Sequence, residues 1–366
     1  MAAENRRSSA TRSKRIAIAV LMACLMAGCS AIGPATVPRD RSDYNTAIAN
    51  SWKEQTLMNI VKIRYADMPL FVEVASVVAG YTMETQVNAG ASFPDRDTFG
   101  GDTVSVGASG RFTDRPTITY APITGQQFNR SFMTPIPPRA VLFLMQSGWA
   151  VDLVFPITVD SMNGLRAPVA TGTDRREGDQ GYFRAITLLR EIQKSGAVGM
   201  RIHQRGEQET TVMLFHKEGV PPEIQGNLEE LKTLLGIEQE GHEISVTYSQ
   251  IPETDKELAM LTRSMMQIML DMARLVEVPE AHALEGRTLP SMAFEGRTDD
   301  ARTIRILSSP QKPEDALTAV KYRDHWFYID DRDFMSKRAF TFLMILFSLT
   351  ETGGHEGLPL VTIPAG

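Results

Sequence analysis

The chain has 366 residues, of which 43% are apolar and 22% are charged, and its formal net charge is −6. This composition is typical of a folded globular protein and excludes a disordered tail, a collagen or a disulfide scaffold, since the chain has only two cysteines. The length allows about two domains, at ~100–200 residues each.

Residues 1–28 predict a secretory signal peptide. Five basic residues, the last of them Arg15, precede a 13-residue apolar run from Ile16 to Gly28. Such a run fits the ~7–15 residues of a signal-peptide core and is shorter than the ~20 residues of a membrane-spanning helix.

The apolar run leads into Leu25-Met26-Ala27-Gly28-Cys29, which resembles the lipobox of bacterial lipoproteins. The resemblance implies cleavage before Cys29 and lipidation of its thiol, with acyl chains such as palmitate. In that class an Asp after the cysteine retains the protein at the inner membrane, so Ser30 implies sorting to the outer membrane. A poorer motif ending in Cys24 and an ordinary signal peptide are the alternatives.

Processing would make the chain more acidic and leave it a single cysteine. Removal of residues 1–28 leaves 33 Lys+Arg against 43 Asp+Glu, a net charge of −10. That charge argues against a nucleic-acid partner, because phosphate binding needs a basic face. With Cys29 lipidated, disulfides and cysteine-based chemistry are excluded. No later run reaches ~18 apolar residues, and the longest, Phe342 to Leu349, is typical of a buried helix.

The pattern after the signal peptide predicts an α+β fold with mixed or antiparallel sheets, packed helices and a long amphipathic β-hairpin. We divide it into a lipidated tether at 29–42, a helix and β-hairpin domain at 43–165, and an α+β domain at 180–366. Predicted helices cover 44–65, with Asp43 as N-cap, and 182–195, 222–235, 255–275 and 334–349. Predicted strands include 151–159, 199–203, 211–216 and 319–329.

Residues 77–113 alternate between apolar and polar side chains, which predicts a hairpin. A register with Phe93 opposite Val104 would place Gln86 opposite Arg111. The mainly apolar parity supplies the candidate residues for contact with a membrane or with other subunits, which are Val87, Ala89, Ala91, Phe93, Val104, Val106 and Phe112.

This hairpin has two interpretations. Each arm has about the 9–11 residues of a tilted membrane strand, but one hairpin cannot cross a bilayer alone, because its edge groups would be unpaired. Several copies could close a barrel, and in this pattern the chain resembles oligomeric outer-membrane lipoprotein pores such as the curli-secretion channel. The other interpretation is a soluble hairpin whose apolar face packs on its own domain or on a partner.

The sequence contains no recognisable catalytic, cofactor-binding or metal-binding motif, and we predict no residue for these roles. The acidic run of Asp330, Asp331 and Asp333 is interpreted as a turn and helix N-cap rather than a cation site. None of the six histidines has ligand spacing, although His203 and His216 could meet across a hairpin.

Three segments resemble an uncharacterised family of proteobacterial lipoproteins: Ala47 to Arg64, Arg115 to Gly125 and Trp326 to Lys337. The resemblance does not indicate any particular activity and adds no catalytic residue. We expect a lipid-anchored outer-membrane protein with a periplasmic body, acting as a non-enzymatic structural or assembly component of a cell-envelope complex, for example in export. Its partners would be the outer membrane and either envelope proteins or copies of itself. The alternatives are an oligomeric pore that inserts residues 77–113 and a periplasmic hydrolase without a readable motif.

Overall fold

A computed structural model of the chain describes residues 37–78, 81–92, 103–115, 117–171, 174–205, 208–215, 220–238, 243–291 and 304–350. The predicted signal peptide, Cys29 and Phe93 lie outside these residues. The chain divides after Glu54 into two compact units. The first contributes the start of helix α1, and the second, from Gln55 onwards, holds the rest of α1 and every other described element.

Helix α1 spans Val37–Arg64, so it begins before the predicted residue 44, and Asp43 lies inside the helix instead of capping it. Part of the predicted tether, residues 37–42, is therefore helical. Leu57, Ile60 and Val61 are fully buried, at the i, i+3, i+4 spacing of one helix face.

Four strands follow α1: β1 (Val72–Val78), β2 (Tyr81–Ser92), β3 (Thr103–Asp114) and β4 (Thr117–Pro122). Strand β1 pairs with β4 and β2 pairs with β3, both antiparallel. The pair Val78–Thr117 and the pair Tyr81–Asp114 have the same register. We call these two strand pairs together the ribbon.

The register of β2 and β3 differs from the expected one by two residues. Ala91 lies opposite Val104, and Glu84, not Gln86, lies opposite Arg111. A shift of two residues keeps every side chain on its original face, because the side-chain period of a strand is two. Alternation alone therefore could not distinguish these registers.

A short helical segment follows the ribbon, with α2 (Gly125–Phe128), a π-helical turn (Asn129–Met133) and α3 (Pro138–Gln146). The next element, α4 (Val151–Thr158), corrects the predicted strand 151–159. Nearly all of α4 is buried. A short apolar run that is buried on all sides has no periodicity that separates helix from strand.

The largest sheet has the order β6-β5-β12-β11-β10-β9. Its strands are β5 (Val159–Met162), β6 (Leu165–Arg166), β9 (Val198–Arg205), β10 (Gln208–Phe215), β11 (Glu243–Thr247) and β12 (Glu257–Thr262). A small pair, β7 (Val169–Thr171) and β8 (Asp174–Arg176), is separate. Strands β11 and β12 are parallel and the other pairs antiparallel, so the sheet is mixed. It takes strands from both sides of the predicted domain boundary.

Helices α5 (Gln180–Lys194) and α6 (Pro222–Leu235) confirm the predictions for their segments, and Gly236 ends α6 in the left-handed conformation. The predicted helix 255–275 is wrong. Its first part is strand β12, and only α7 (Met265–Ala273) is helical. A capping box between Ser264 and Gln267 starts α7.

The C-terminal part contains α8 (Glu280–Leu284) and a small sheet of β13 (Leu307–Ser309), β14 (Ala316–Tyr322) and β15 (His325–Asp330), in the order β13-β15-β14. The predicted single strand 319–329 is thus a hairpin. Helix α9 (Phe334–Thr350) buries Phe342, Leu343, Leu346 and Phe347, as predicted. No helix among the described residues is long and apolar enough to span a membrane. The α+β class is confirmed.

Candidate functional site

The ribbon is rooted in a buried aromatic cluster. Phe71, just before β1, is 6% exposed, and its ring centroid lies 3.9 Å from that of Phe132 and 6.4 Å from that of Phe347. The N–H of Ile123, just after β4, donates to the carbonyl of Phe71 over 2.9 Å. Both ends of the ribbon therefore meet at one apolar point of the body.

Helix α1 clamps the same root through two side-chain amides. Asn59 donates to the carbonyl of Leu70 (2.8 Å) and accepts from its N–H (2.9 Å). Gln55 makes the corresponding pair of bonds with Val72, at 2.9 and 2.6 Å. Residues four apart share a helix face, so the two amides act on the chain like a neighbouring strand. This clamp fixes how β1 leaves the body.

Beyond its root, the ribbon carries apolar side chains that are exposed to solvent. Ile118 is 41% exposed and Tyr120 is 59% exposed. Ile118 lies opposite Val77, which has the same parity as the candidate contact residues of β2. Among the described residues, β1–β4 pair only with one another, so each arm has an outer edge with no sheet partner.

Six of the seven candidate contact residues belong to the paired strands. The register brings them together as Ala89 with Val106 and Ala91 with Val104, while Val87 and Phe112 face Ala108 and Met83. On the other parity, the described residues Glu84, Gln86, Asn88, Ser109 and Arg111 are exposed and polar. The side chains of the six candidates, like Phe93 itself, are outside what the structure describes.

A second cluster joins the end of α1 to the C-terminal part of the chain. The hydroxyl of Tyr65 lies 2.7 Å from Nδ1 of His282, and these side chains are 4% and 5% exposed. The His282 ring packs edge-on to His325, with ring centroids 4.9 Å apart. Nδ1 of His325 is buried without a hydrogen-bond partner. We call Tyr65, His282 and His325 the Tyr–His cluster.

Charged and polar side chains from the β14–β15 hairpin and from the end of α1 lie next to this cluster. Nε of Arg323 donates to the Tyr322 hydroxyl (3.2 Å), which donates to Asp67 (2.7 Å). The guanidinium of Arg323 also lies 5.2 Å from the centre of the Tyr65 ring, a cation–π distance. Arg323 and Asp324 form the β14–β15 turn with φ of 46° and 68°, where Asn-Gly is the usual pair. Such strained backbone often accompanies functional sites.

Burial shifts the proton affinity of both partners of the central hydrogen bond. Burial raises the pKa of Tyr65 to about 12, although Arg323 and Arg64 oppose the shift. Burial also lowers the pKa of His282, helped by His325 and Arg287. Both shifts favour the neutral form, so the Tyr65–His282 hydrogen bond joins two uncharged rings.

The acidic run near α9 has the predicted structural role. The Asp333 carboxylate accepts from the backbone N–H (3.1 Å) and the hydroxyl (2.7 Å) of Ser336, as a helix N-cap does. Asp331 pairs with Lys337 at 2.7 Å. No group of three metal-ligating side chains occurs in the described ranges.

The structure does not test whether His203 and His216 meet across a hairpin. His203 lies opposite Thr210, and His216 is outside the described residues. The histidines that do meet, His282 and His325, are 43 positions apart in the sequence. No local spacing could have revealed that pair.

No family model, curated protein or solved structure matches this chain.

Proposed function

We propose that this chain is a lipid-anchored, non-enzymatic structural component of the outer membrane that assembles with copies of itself through the apolar face of the ribbon. The observation that carries the proposal is the exposure of Ile118 and Tyr120 on a ribbon whose root is buried at Phe71. The body holds the ribbon at its root, while Ile118 and Tyr120 stay exposed.

An isolated two-stranded hairpin is at best marginally stable in water, so an extended ribbon needs a covering layer. At ~3.3 Å per residue, β1 measures about 23 Å and β2 about 40 Å. Two strands ~4.8 Å apart then offer a face of about 600 Å², close to the ~800 Å² per partner of a standard interface.

A second copy is the occupant that fits this face best. Copies anchored by the same lipid in one membrane share a plane, so their ribbons lie at the same height and at raised effective concentration. Two like faces can stack ~10 Å apart as in a sandwich. On the opposite face, Glu84 and Arg111 stay in water, so no charge of that pair needs to be desolvated.

The size of the detergent-extracted, lipidated protein tests this proposal. It is compared with a variant in which Met83 to Phe112 are replaced by Asn-Gly, which leaves the pair Thr82–Thr113 next to the two-residue turn. We expect a defined oligomer for the intact protein and a folded monomer for the variant. Monomers in both cases, with the intact protein at micromolar concentration, would overturn self-assembly.

A pore is the second candidate, and the 12-residue length of β2 and β3 favours it, since such strands are long enough to cross a bilayer when tilted. The lipid-free Cys29→Ala form distinguishes a stacked scaffold from a pore. A stacked scaffold assembles in water without detergent. A pore assembles only in detergent or vesicles and releases a dye trapped in liposomes.

The predicted anchor has its own test. Incorporation of labelled palmitate and recovery with the outer-membrane fraction are both expected for the natural chain and lost in Cys29→Ala. A Cys24→Ala control should keep both. Palmitate labelling that survives in Cys29→Ala would contradict the assignment of the lipidated cysteine.

A further inference from the structure

Helix α9 carries the chain from the small C-terminal sheet to the root of the ribbon. It begins at Phe334, just after β15, and its 17 residues measure about 26 Å at 1.5 Å per residue. Near its other end, the ring centroid of Phe347 lies 5.5 Å from that of Phe132 and 6.4 Å from that of Phe71, which immediately precedes β1. The chain therefore leaves α9 beside the ribbon.

The sequence after α9 contains a further strand pattern. Residues 351–366 lie outside the described part of the chain. Residues 351–357 include three glycines, and residues 358–363, which we call the C-terminal segment, read Leu-Pro-Leu-Val-Thr-Ile. Valine, threonine and isoleucine favour strands, whereas proline confines a strand to the edge of a sheet. At ~3.3–3.6 Å per residue, the preceding linker reaches at most about 25 Å, which is ample for the ribbon root.

One of the two outer edges at the ribbon root is already occupied. The side-chain amides of Gln55 and Asn59 bind the backbone N–H and C=O groups of Val72 and Leu70, so α1 covers the start of the β1 edge. Among the described residues, no strand pairs with the outer edge of β4, and five of its six residues are exposed. The free edge at the root therefore belongs to β4.

The backbone groups of β4 point alternately towards β1 and away from it. The N–H of Ile123 donates to the carbonyl of Phe71 over 2.9 Å, so position 123 faces β1. The bulge in this pair lies in β1, so the alternation along β4 is unbroken. Ile118, Tyr120 and Pro122 therefore direct their backbone groups to the outer edge.

Prolines limit this outer edge at both ends. Pro122 ends β4 and Pro116 precedes it, and both have the outward parity and no N–H. The edge therefore offers the N–H groups of Ile118 and Tyr120 as its donors. Prolines on an edge strand restrict further strand pairing. A strand that fits this edge has to be short.

We propose that the C-terminal segment adds to the outer edge of β4 of its own chain as an antiparallel third strand. Strand β4 runs towards the root and the C-terminal segment leaves it, so their directions are opposite. Both have six residues. Main-chain hydrogen bonds supply the affinity, as in other cases of strand addition to a sheet edge. The pairing does not depend on what the apolar face of the ribbon binds.

Pro359 determines which edge of the C-terminal segment faces β4. It has no N–H, so its parity points away from β4, and the backbone groups of Leu358, Leu360 and Thr362 point towards β4. Pro364 has this inward parity and no N–H, so the pairing ends before it.

The register follows from the prolines that end the two strands. Placing Pro364 opposite Pro116 puts Leu360 opposite Tyr120, and these two residues then exchange both of their N–H···O bonds. Opposed residues share a face of the sheet, so Leu360 lies beside Tyr120 and extends the apolar face of the ribbon.

Hydrogen exchange at the edge tests the pairing. The N–H groups of Ile118 and Tyr120 should be protected in the full-length protein and should exchange about tenfold faster after truncation at Thr350. The N–H of Ile123, bonded to Phe71, is the internal reference and should keep its protection. Unprotected Ile118 and Tyr120 in the full-length protein would overturn the proposal. So would equal protection in both proteins.

Two proline substitutions form a matched pair that keeps the whole chain. Leu360→Pro removes an inward N–H and should release the C-terminal segment, with the same loss of protection at Tyr120 as truncation. Val361→Pro removes an outward N–H, as the natural Pro359 does, and should keep the protection. Equal effects of the two substitutions would contradict the pairing of this edge.

A disulfide distinguishes pairing within one chain from exchange between copies. In the proposed register, Val361 lies opposite Thr119 in a pair without hydrogen bonds, with Cα atoms about 4.5 Å apart, which suits a disulfide. Combined with Thr119→Cys, Val361→Cys should crosslink within one chain on mild oxidation, while Leu360→Cys, on the other face, should not. Crosslinks found only between differently tagged copies, or no crosslink from Val361→Cys, would overturn the proposal.

Discussion

The large sheet and the ribbon have the same alternation of apolar and polar residues but use it differently. In β11 the alternate residues Ile244 and Val246 are 3% and 7% exposed, so this face of the strand belongs to the core. In β4 the alternate residues Ile118 and Tyr120 are 41% and 59% exposed. Burial of the apolar residues of β11 stabilises the body. The apolar residues of β4 would contribute a comparable free energy only on contact with another surface.

The transition between the two regimes is abrupt. Phe71 and Ile123 are 6% and 9% exposed, yet Tyr120 lies only three residues before Ile123. The root thus belongs to the body and the arms do not. Substitutions at the root should destabilise folding, whereas substitutions on the arms should affect association.

The largest effect is expected at the root. Phe71→Ala removes a buried ring from the cluster with Phe132 and Phe347, and should lower the free energy of unfolding by about 3–5 kcal/mol. Phe143→Ala, at a ring that is 55% exposed on α3, is the control and should change it by less than ~0.5 kcal/mol. Urea denaturation measures both. Equal effects would mean that the root is not part of the core.

The amide clamp should have an intermediate effect. Asn59→Ala leaves the N–H and the carbonyl of Leu70 without their partner and should cost about 2–3 kcal/mol in the same assay. Asn50→Ala, at an exposed position of α1, should change the stability by less than ~0.5 kcal/mol. A neutral Asn59→Ala would show that the clamp does not hold the ribbon.

A like-charged pair on the arms should matter less. Glu84→Lys faces Arg111 directly and should destabilise the pairing by roughly 0.2–1 kcal/mol. Gln86→Lys, opposite Ser109, introduces the same side chain without that conflict. Thermal unfolding of the two variants can be compared at low salt. A larger loss for Gln86→Lys would indicate the register with residue 86 opposite Arg111.

The smallest change in stability is expected on the exposed face. Ile118→Thr combined with Tyr120→Thr keeps residues that favour strands, and should leave the free energy of unfolding within about 0.5 kcal/mol of its natural value. The same variant should lose the oligomer in size measurements. A marked loss of stability in a monomeric preparation would place this face in the protein's own core.

The sequence predicted the elements whose periodicity is strong. Helix α5 was predicted with Gly196 just past its end, and α6 was predicted between Pro221-Pro222 and Gly236. The predictions for 151–159 and 255–275 failed for a shared reason. Each segment contains a short apolar run, at 153–157 or at 258–261, and such a run has no periodicity that separates helix from strand.

The candidate sites were predictable to different degrees. Alternation at 77–113 indicated paired arms, but not that β1 and β4 would share their register nor that Gln55 and Asn59 would clamp the root. The Tyr–His cluster joins residues 65, 282 and 325, which only the fold brings together. Motif spacing can identify only residues that lie close together in the sequence, and the three residues of the Tyr–His cluster lie far apart.

Association of copies through the apolar face of the ribbon is tested most directly by comparing the two faces of strand β4. The mature chain is expected to have no free thiol, so Tyr120→Cys and Thr119→Cys each provide a single site for a maleimide–benzophenone crosslinker. Two differently tagged copies are expressed together, and adducts between the tags are counted after illumination. If copies associate through the apolar face, adducts form from position 120 and far fewer form from position 119. Equal yields from both faces, or none from position 120 in an assembled protein, would contradict it.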